Sequence, residues 1–307
     1  MIPFDGLFAQ NYVYPFALGA YDATQPPPGY TSGTNAFEIL VDTTRPGYVT
    51  QLAQASPKHR KMMQSMLDQP RKLGLANAGN ATSAQLATVQ RSAQPNQHFG
   101  WVCVDAANSR LIVAYRGTEF FHDWLDDFDF IPAPYAPIPG RGTVHQGFQL
   151  VYYSIRDNVR QLVQKYGANC TSLLITGHSL GGALVGVSAP DLLNDVAANL
   201  APLAYTWAEP RVGHSDFVSF FNTHVNVCYR IANVWDVVPH LPPVLAFYEH
   251  EGNSVTIDSG FSLDVVKNHE LVSGYAPGIA KWNQSHKPQA TEHFGTMAIS
   301  ALIGKTA

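Results

Sequence analysis

The stretch LLITGHSLGGALVGVSA, residues 173–189, places one serine in a glycine-rich turn between two apolar segments. Its centre, Gly177 to Gly181, fits the pattern G-x-S-x-G, and a strand before it and a helix after it are the context that a nucleophile elbow requires. In such an elbow a sharp turn holds the serine hydroxyl above the end of the sheet, and small neighbours let strand and helix pass closely. An ordinary glycine-rich turn is the alternative, because the five-residue pattern is common. Ser179 is therefore a candidate nucleophile, provided that the chain contains a base and an acid for it.

Around this turn the sequence alternates between strand-like and helix-like segments from about residue 99 onward. Apolar positions spaced by three and four residues predict helices, and short β-branched or aromatic runs predict strands. The alternation predicts an α/β protein with a mostly parallel sheet covered on both faces, and ligands of such sheets gather at the carboxyl ends of the strands. The predicted elements are strands at 99–105, 110–116, 172–176, 203–208 and 225–232, and helices at 57–73, 146–166, 215–224 and from Leu180 onward.

The amino-terminal third is less regular than the rest of the sequence. We nevertheless expect a single domain over residues 1–307. Residues 1–35 contain the breaker TQPPPGY and predict an extended arm wrapped on the domain. The predicted helix at 57–73 is interrupted near Pro70, and the polar stretch 74–97 is assigned no chemical role.

Composition excludes several classes of protein. An apolar content of 46% and a charged content of 14% are typical of an ordered globular protein. The net charge of −4 without a basic cluster gives no support for nucleic-acid binding. No apolar run is long enough for a transmembrane helix, and the amino terminus lacks the pattern of a secretory signal. Cys103, Cys170 and Cys228 are widely spaced, so we expect buried thiols and neither a metal site nor a disulfide framework.

Asp236 is the candidate acid. In this motif order the acid follows the serine and the histidine follows the acid, and YRIANVWDVVPHLPP places Asp236 just past a predicted strand. A carboxylate there could accept the histidine N–H and stabilise an imidazolium. A loop-capping role is the alternative, and Asp258 and Asp264 are the rival carboxylates.

His269, in VVKNHELVSGYAPGI, is the candidate base and is predicted to open an apolar-periodic helix. His293, in TEHFGTM, is its main competitor. His178 adjoins Ser179 and is expected to be a packed, hydrogen-bonded residue rather than the base. The remaining downstream histidines are His240, which is too close to Asp236 in sequence, His250, in a hairpin-like segment, and His286.

The segment after Thr118 separates apolar and polar side chains at about 100° per helical residue. The apolar face carries Phe120, Phe121, Trp124 and Leu125, and the polar face carries His122, Asp123, Asp126 and Asp127. One possibility is an amphipathic helix packed on the core. The second is a lid whose apolar face covers the active site in water and turns toward lipid at an interface.

With these residues assembled, the chain resembles the class 3 lipase family, the filamentous-fungal type of triacylglycerol lipase with the α/β-hydrolase fold. The resemblance covers residues 99–281, and residues 1–98 fit the family poorly. The matching segments are IVAYRGTEFFHDWLDDFDF, TVHQGF, ITGHSLGGALV, EPRVG, YRIANVWDVVPHLPP and NHELVSGYAPGI.

The resemblance implies a Ser179–Asp236–His269 triad and a helical lid over residues 119–130. It implies that Thr118 donates its N–H and hydroxyl to an oxyanion and that the N–H of Leu180 is the second donor. Asp127 falls where the family has an acid that can hold the hydroxyl of the oxyanion residue, with a solvated aspartate as the alternative.

The function implied is hydrolysis of lipid esters, foremost triacylglycerols, at a lipid–water interface through an acyl-enzyme at Ser179. Feruloyl esterase and phospholipase A1 are alternatives with the same chemistry, and an inactive lipid-binding protein with this fold is a more remote one. No metal or cofactor is expected. The resemblance favours a secreted protein, and we expect a monomer.

Overall fold

The computed structural model describes residues 3–67, 97–118 and 129–286. The strands in these residues are β1 Ala36–Leu40, β2 His98–Asp105, β3 Arg110–Tyr115, β4 Pro132–Pro134, β5 Thr143–His145, β6 Ser172–His178, β7 Ala201–Trp207, β8 Cys228–Asn233 and β9 Asn253–Ile257. Seven of these described strands form one sheet in the order β1-β2-β3-β6-β7-β8-β9, and β4 and β5 form a small separate pair. The two pairings that join β1, β2 and β3 are antiparallel, and the four from β3 to β9 are parallel, which confirms the predicted sheet.

Helices cover both faces of this sheet because its strands alternate two sets of buried side chains. In β3, Leu111, Val113 and Tyr115 belong to one core cluster, and Ile112 and Ala114 belong to the other. Burying such an apolar side chain fully contributes about 1.5–3 kcal/mol, so both faces require a helical cover. The helices are α1 Gly6–Phe8, α2 Tyr14–Gly19, α3 Pro46–Gln54, α4 Pro57–Leu67, α5 Gln146–Gly167, α6 Leu180–Leu193, α7 Ser215–His224, α8 Val265–His269 and α9 Ala276–Ser285.

The prediction of an extended amino-terminal arm is wrong for its first half. α1, a π-helical turn at Ala9–Val13 and α2 follow one another without interruption. Pro15 is the second residue of α2 and lies within this continuous run, next to the π-helical turn. Every third or fourth residue is buried against the second core cluster, so packing gives this segment its helical form: Ala9, Val13, Phe16, Ala17 and Ala20.

Two predictions downstream are also wrong. The segment around His250 does not form a hairpin, because β9 joins β8 in parallel. His269 ends α8 rather than opening a helix, and a π-helical turn at Leu271–Tyr275 follows it. The predicted helix at 57–73 begins at Pro57, and the part beyond Leu67 lies outside the described residues.

The expectation of buried thiols is confirmed for Cys103 and Cys228 and is wrong for Cys170. Cys103 and Cys228 are buried, Cys170 is half-buried, and all three are free. Burial raises the pKa of Cys103 and of Cys228, which disfavours thiolate chemistry at both. Among the described residues, no helix is long and apolar enough to cross a membrane, and no group of three His, Cys, Asp or Glu side chains could hold a metal ion.

Parallel pairing brings the predicted site residues to one edge of the sheet. Thr118 follows the end of β3, Ser179 follows β6, and Asp236 follows β8. Carboxyl ends of parallel strands meet at the same edge, and this is where α/β sheets bind ligands.

Candidate active site

Ser179 occupies a turn that the surrounding residues force into an uncommon backbone conformation. Its φ is 59° and its ψ is −123°, in the positive-φ region that residues other than glycine rarely adopt. The turn is this sharp because β6 and α6 nearly touch. A Cβ at Gly177 would lie 2.3 Å from the carbonyl oxygen of Gly181, and a Cβ at Gly181 would lie 2.4 Å from that of Tyr115. The glycines of the motif are therefore required by close backbone approach.

The hydroxyl of Ser179 is buried but has no hydrogen-bond partner within the described parts of the chain. Leu180, the predicted second oxyanion donor, is the first residue of α6. Its N–H is one of the four at a helix amino terminus that have no acceptor inside the helix, and the helix dipole favours negative charge there. This end of α6 can therefore stabilise an anion formed at Ser179.

Asp236 and His269 form a buried pair. His269 Nδ1 lies 2.9 Å from Asp236 Oδ2, and the side chain of Asp236 is fully buried. An ionised carboxylate can only accept, so Nδ1 carries the proton and Nε2 is left as the basic nitrogen. Asp236 also accepts hydrogen bonds from the backbone N–H of Val238 at 3.0 Å and the hydroxyl of Tyr275 at 2.7 Å.

The rival carboxylates serve as caps. Asp264 accepts the N–H groups of Val266 and Lys267 at the start of α8. Asp258 accepts the N–H of Gly260 and further hydrogen bonds from Trp235 and Lys281, and these lower its pKa to about 2. Both carboxylates therefore stabilise local loop and helix structure, whereas Asp236 contacts the candidate base.

The rival histidines have other partners. His250 donates from Nε2 to the carbonyl of Pro239 at 2.7 Å, and burial lowers its pKa to about 3. His286 stacks on Trp282 at the end of α9. His240 is exposed on a 3-10 turn. His293 lies outside the described residues, as do the predicted lid residues Phe120, Phe121, Trp124 and Leu125 and the supporting residue Asp127.

His178 connects the nucleophile candidate to the base candidate. Its Nε2–H donates to the backbone carbonyl of His269 at 2.7 Å, and the two imidazole centroids are 4.7 Å apart. Burial and the neighbouring His269 lower the pKa of His178 well below the usual imidazole range, so the ring is neutral. The prediction that His178 is a packed, hydrogen-bonded residue is confirmed.

Thr118 follows a glycine that packs against the nucleophile turn. A Cβ at Gly117 would lie 3.2 Å from Cβ of Ser179 and 2.4 Å from the hydroxyl oxygen of Tyr21. Thr118 is half-buried directly after this contact. The chain next to Thr118 therefore runs close to Ser179, which is where an oxyanion donor would have to be.

Three further residues support the site and were not recognised in the sequence. Tyr275, predicted only as an apolar helix position, bonds to Asp236. Asn233 Nδ2 donates to the carbonyl of Asn268 at 2.9 Å and so holds the residue before His269. Tyr21, from the amino-terminal segment, lies 2.7 Å from Nδ1 of His178. The role of each depends on a partner in a distant segment of the chain, so no sequence pattern distinguishes these three from their neighbours.

Exposed large apolar side chains are concentrated in the stretch of sequence that contains Asp236 and His269. Thirteen large ones are exposed among the described residues, and ten of them lie within residues 234–272, the loops that contain both members of the pair. We call these ten residues the apolar rim; Trp235 and Phe261 within it are in ring contact at 4.9 Å. They are Val234, Trp235, Val237, Val244, Leu245, Phe247, Phe261, Leu263, Val265 and Val272.

Comparison with known proteins agrees with this arrangement. Residues 112–246 match the family model described as Lipase (class 3). Secreted mono- and diacylglycerol lipase 1 from Fusarium solani is 32% identical over 162 residues, 52% of this chain and 47% of that protein. Phospholipase A1-II 7 from Oryza sativa subsp. indica is 32% identical over 169 residues, 44% of this chain and 41% of that protein.

The chain thus spans less than half the length of these curated relatives. One solved structure, the mono- and diacylglycerol lipase from Aspergillus oryzae, aligns with 87% of this chain and 85% of its own at 19% identity, with a TM-score of 0.54, which supports the shared fold. Residues 112–246 of this chain thus resemble the class 3 lipase family, and the architecture is that of the α/β-hydrolase fold.

Proposed function

We propose that this protein is a serine carboxylester hydrolase acting on lipid esters, foremost triacylglycerols. The observation that carries the proposal is the buried Asp236–His269 pair, whose histidine is hydrogen-bonded through its carbonyl to His178, the residue next to Ser179. A serine in a strand-to-helix elbow, a histidine and a buried carboxylate are the groups that acyl transfer by this route needs.

In the proposed reaction, Oγ of Ser179 attacks the ester carbonyl while Nε2 of His269 takes the hydroxyl proton. The carbonyl oxygen becomes an oxyanion that the N–H of Leu180 and the N–H and hydroxyl of Thr118 stabilise, and losing one such donor typically costs about 3 kcal/mol. The imidazolium then protonates the leaving alcohol as the tetrahedral intermediate collapses to the acyl-enzyme. Water, deprotonated by the same nitrogen, attacks the acyl group and releases the fatty acid.

Asp236 has the environment of an orienting carboxylate. The Val238 N–H and the Tyr275 hydroxyl both donate to its carboxylate oxygens and hold them in place. An ionised Asp236 fixes the tautomer of His269 and stabilises the imidazolium that forms during each proton transfer.

The apolar rim supports a lipid as the substrate over a soluble ester. Many exposed large apolar side chains in one stretch of a chain favour an interaction surface, and this stretch contains Asp236 and His269. Trp235 donates its indole N–H to Asp258 while its ring remains 40% exposed, an amphipathic placement suited to a lipid–water boundary. We also propose that the amphipathic segment 119–130 is a lid over this surface.

We propose that the whole chain acts as one domain. The amino-terminal helices complete one face of the core, and Asn283 of α9 donates to the carbonyl of Gly6 at 3.0 Å. Phospholipase A1 activity is the second candidate, because a relative of that name is as similar as the lipase from Fusarium solani. A feruloyl esterase would use the same catalytic groups on a soluble ester, whereas an inactive lipid-binding protein of this fold would use none of them.

The first experiment is covalent labelling with an active-site fluorophosphonate. We expect labelling of the wild type and none of Ser179→Ala; equal labelling of both, or labelling of neither, contradicts the enzyme proposal. Parallel assays on tributyrin, phosphatidylcholine and methyl ferulate then separate the substrate classes. A rise in the rate on p-nitrophenyl esters at the solubility limit would support the lid, and a smooth curve through that limit would oppose it.

A further inference from the structure

We infer that Tyr21 and His178 are positioning residues that hold the backbone of His269 in register with Ser179. The inference rests on the proposed function, because it assigns a role relative to the proposed base. Both residues act through the carbonyl of His269 and not on the reacting atoms themselves.

The direction of each hydrogen bond in this chain of contacts is fixed. The carbonyl of His269 can only accept, so Nε2 of His178 carries the proton. The ring is neutral and has a single N–H, so Nδ1 is an acceptor, and the hydroxyl of Tyr21, 2.7 Å away, is the donor. Tyr21 therefore selects the one tautomer of His178 that can hold His269.

These hydrogen bonds connect the end of β6, next to the proposed nucleophile, to the end of α8, which carries the proposed base. His178 is the last residue of β6 and adjoins Ser179, whereas His269 lies 91 residues away at the end of α8. His269 is thus held at two points, its ring by Asp236 and its carbonyl by His178. Two fixed points, one on the side chain and one on the main chain, restrict both its ring and its backbone.

Tyr21 is itself firmly placed. The carbonyl of Ala20 accepts the Nε2–H of the buried His98 at 2.9 Å, and Ala20 is part of the second core cluster. The Tyr21 hydroxyl also lies against Gly117, next to the proposed oxyanion residue Thr118. One hydroxyl from the amino-terminal segment therefore contacts both the oxyanion loop and the nucleophile strand.

Kinetics on a soluble ester, p-nitrophenyl butyrate below its solubility limit, test the inference without a lipid surface. Tyr21→Phe removes one net hydrogen bond, so we expect kcat to fall by between about two-fold and about ten-fold with KM unchanged. His178→Leu removes both contacts, and a misplaced catalytic group can lower the rate by about a hundred-fold. His178→Gln can still donate to the carbonyl, and we expect it to recover most of the rate that the leucine variant loses.

Tyr12→Phe is the matched control. Tyr12 lies in the same amino-terminal segment and donates a hydroxyl hydrogen bond to Asp105, which the variant loses. Asp105 is the last residue of β2 and lies opposite Arg110, at the end of β3 away from the site. Thermal unfolding of all four variants corrects for loss of folded protein. Equal kinetics of the Tyr21 and Tyr12 variants, or a glutamine variant as slow as the leucine variant, would overturn the positioning role.

A spectroscopic readout separates this inference from the proposed function. In the wild type, ¹⁵N shifts of the His178 ring should show a protonated Nε2 and an unprotonated Nδ1 at neutral pH, and Tyr21→Phe should introduce the other tautomer. A protonated Nδ1 in the wild type refutes the hydrogen-bond directions even in an active enzyme. Conversely, a failure of fluorophosphonate labelling would end the proposed function and leave the tautomer result standing.

Discussion

Replacing Leu245 and Phe247 with serine should weaken binding to a neutral lipid surface without affecting hydrolysis of a soluble ester. The two side chains are 92% and 77% exposed. Full burial of a leucine or phenylalanine contributes about 1.5–3 kcal/mol, and we take insertion at a lipid surface to bury about half of the exposed area. The pair then contributes about 1.3–2.5 kcal/mol, which corresponds to about a 10- to 70-fold change in the partition coefficient.

The assay is co-sedimentation with phosphatidylcholine vesicles or triolein droplets, in a Ser179→Ala background so that the surface is not hydrolysed. Leu7→Ser with Val49→Ser is the matched control, because these side chains are 46% and 52% exposed and lie outside the apolar rim. The folded state should lose little stability in either double variant, because exposed side chains contribute little to it. Binding should also depend weakly on salt, because no member of the apolar rim is charged.

Two results would refute this reasoning. If the rim and control variants bind lipid equally, the apolar rim does not contact the lipid surface. If the rim variant loses turnover of soluble p-nitrophenyl butyrate in proportion to its binding, the substitutions have damaged the site itself.

Three other changes test the site and its support. Asp236→Asn should lower kcat by about 10⁴, because an amide at this position stabilises the wrong tautomer of the proposed base. The rate of fluorophosphonate labelling checks this. A labelling rate within about ten-fold of the wild type would contradict the prediction. Gly181→Ala should destabilise the protein by at least about 1–3 kcal/mol in urea unfolding, because the new Cβ would lie 2.4 Å from a backbone carbonyl oxygen. Gly167→Ala is the control and should not destabilise it, because its nearest contact would be at 3.4 Å. Equal urea midpoints of the two variants would contradict the steric role of Gly181. Burial and the neighbouring Glu251 raise the pKa of Glu209 in the folded state. Between the ordinary glutamate pKa and this raised pKa, the folded state binds more protons than the unfolded state. The free energy of unfolding should therefore fall as pH rises through that interval. Glu209→Gln should flatten this slope, and an unchanged slope would show that the carboxyl pair does not cause it.

The sheet and the nucleophile turn could be predicted from the sequence because both depend on local signals. Strands β2 and β3 and helices α5 and α7 follow from periodicity, and the predicted helix at 215–224 matches α7, Ser215–His224, at both ends. Gly177 precedes Ser179 for a steric reason that acts within five residues, because a Cβ there would meet the carbonyl oxygen of Gly181. Such short-range constraints can be recognised without knowing where the rest of the chain lies.

What the sequence did not predict depends on contacts between distant segments. Tyr21 is 157 residues from its partner His178, and nothing in TQPPPGY or the residues before it indicates that contact. The helical form of residues 6–19 likewise comes from packing on the sheet, which overrides a prolyl and aromatic composition that predicts no regular helix. His269 was selected from several histidines by motif order, whereas its geometric support is the pairing with Asp236, 33 residues away.

The backbone of Ser179 has a consequence for how this chain evolves. A φ of 59° at a residue other than glycine typically costs about 1–3 kcal/mol, and glycine adopts such a conformation without that cost. A single change to glycine at position 179 should therefore raise the melting temperature while removing the hydroxyl at the elbow. Selection for a stable fold alone would favour glycine at this position, so a serine here is expected only where selection acts on its hydroxyl group.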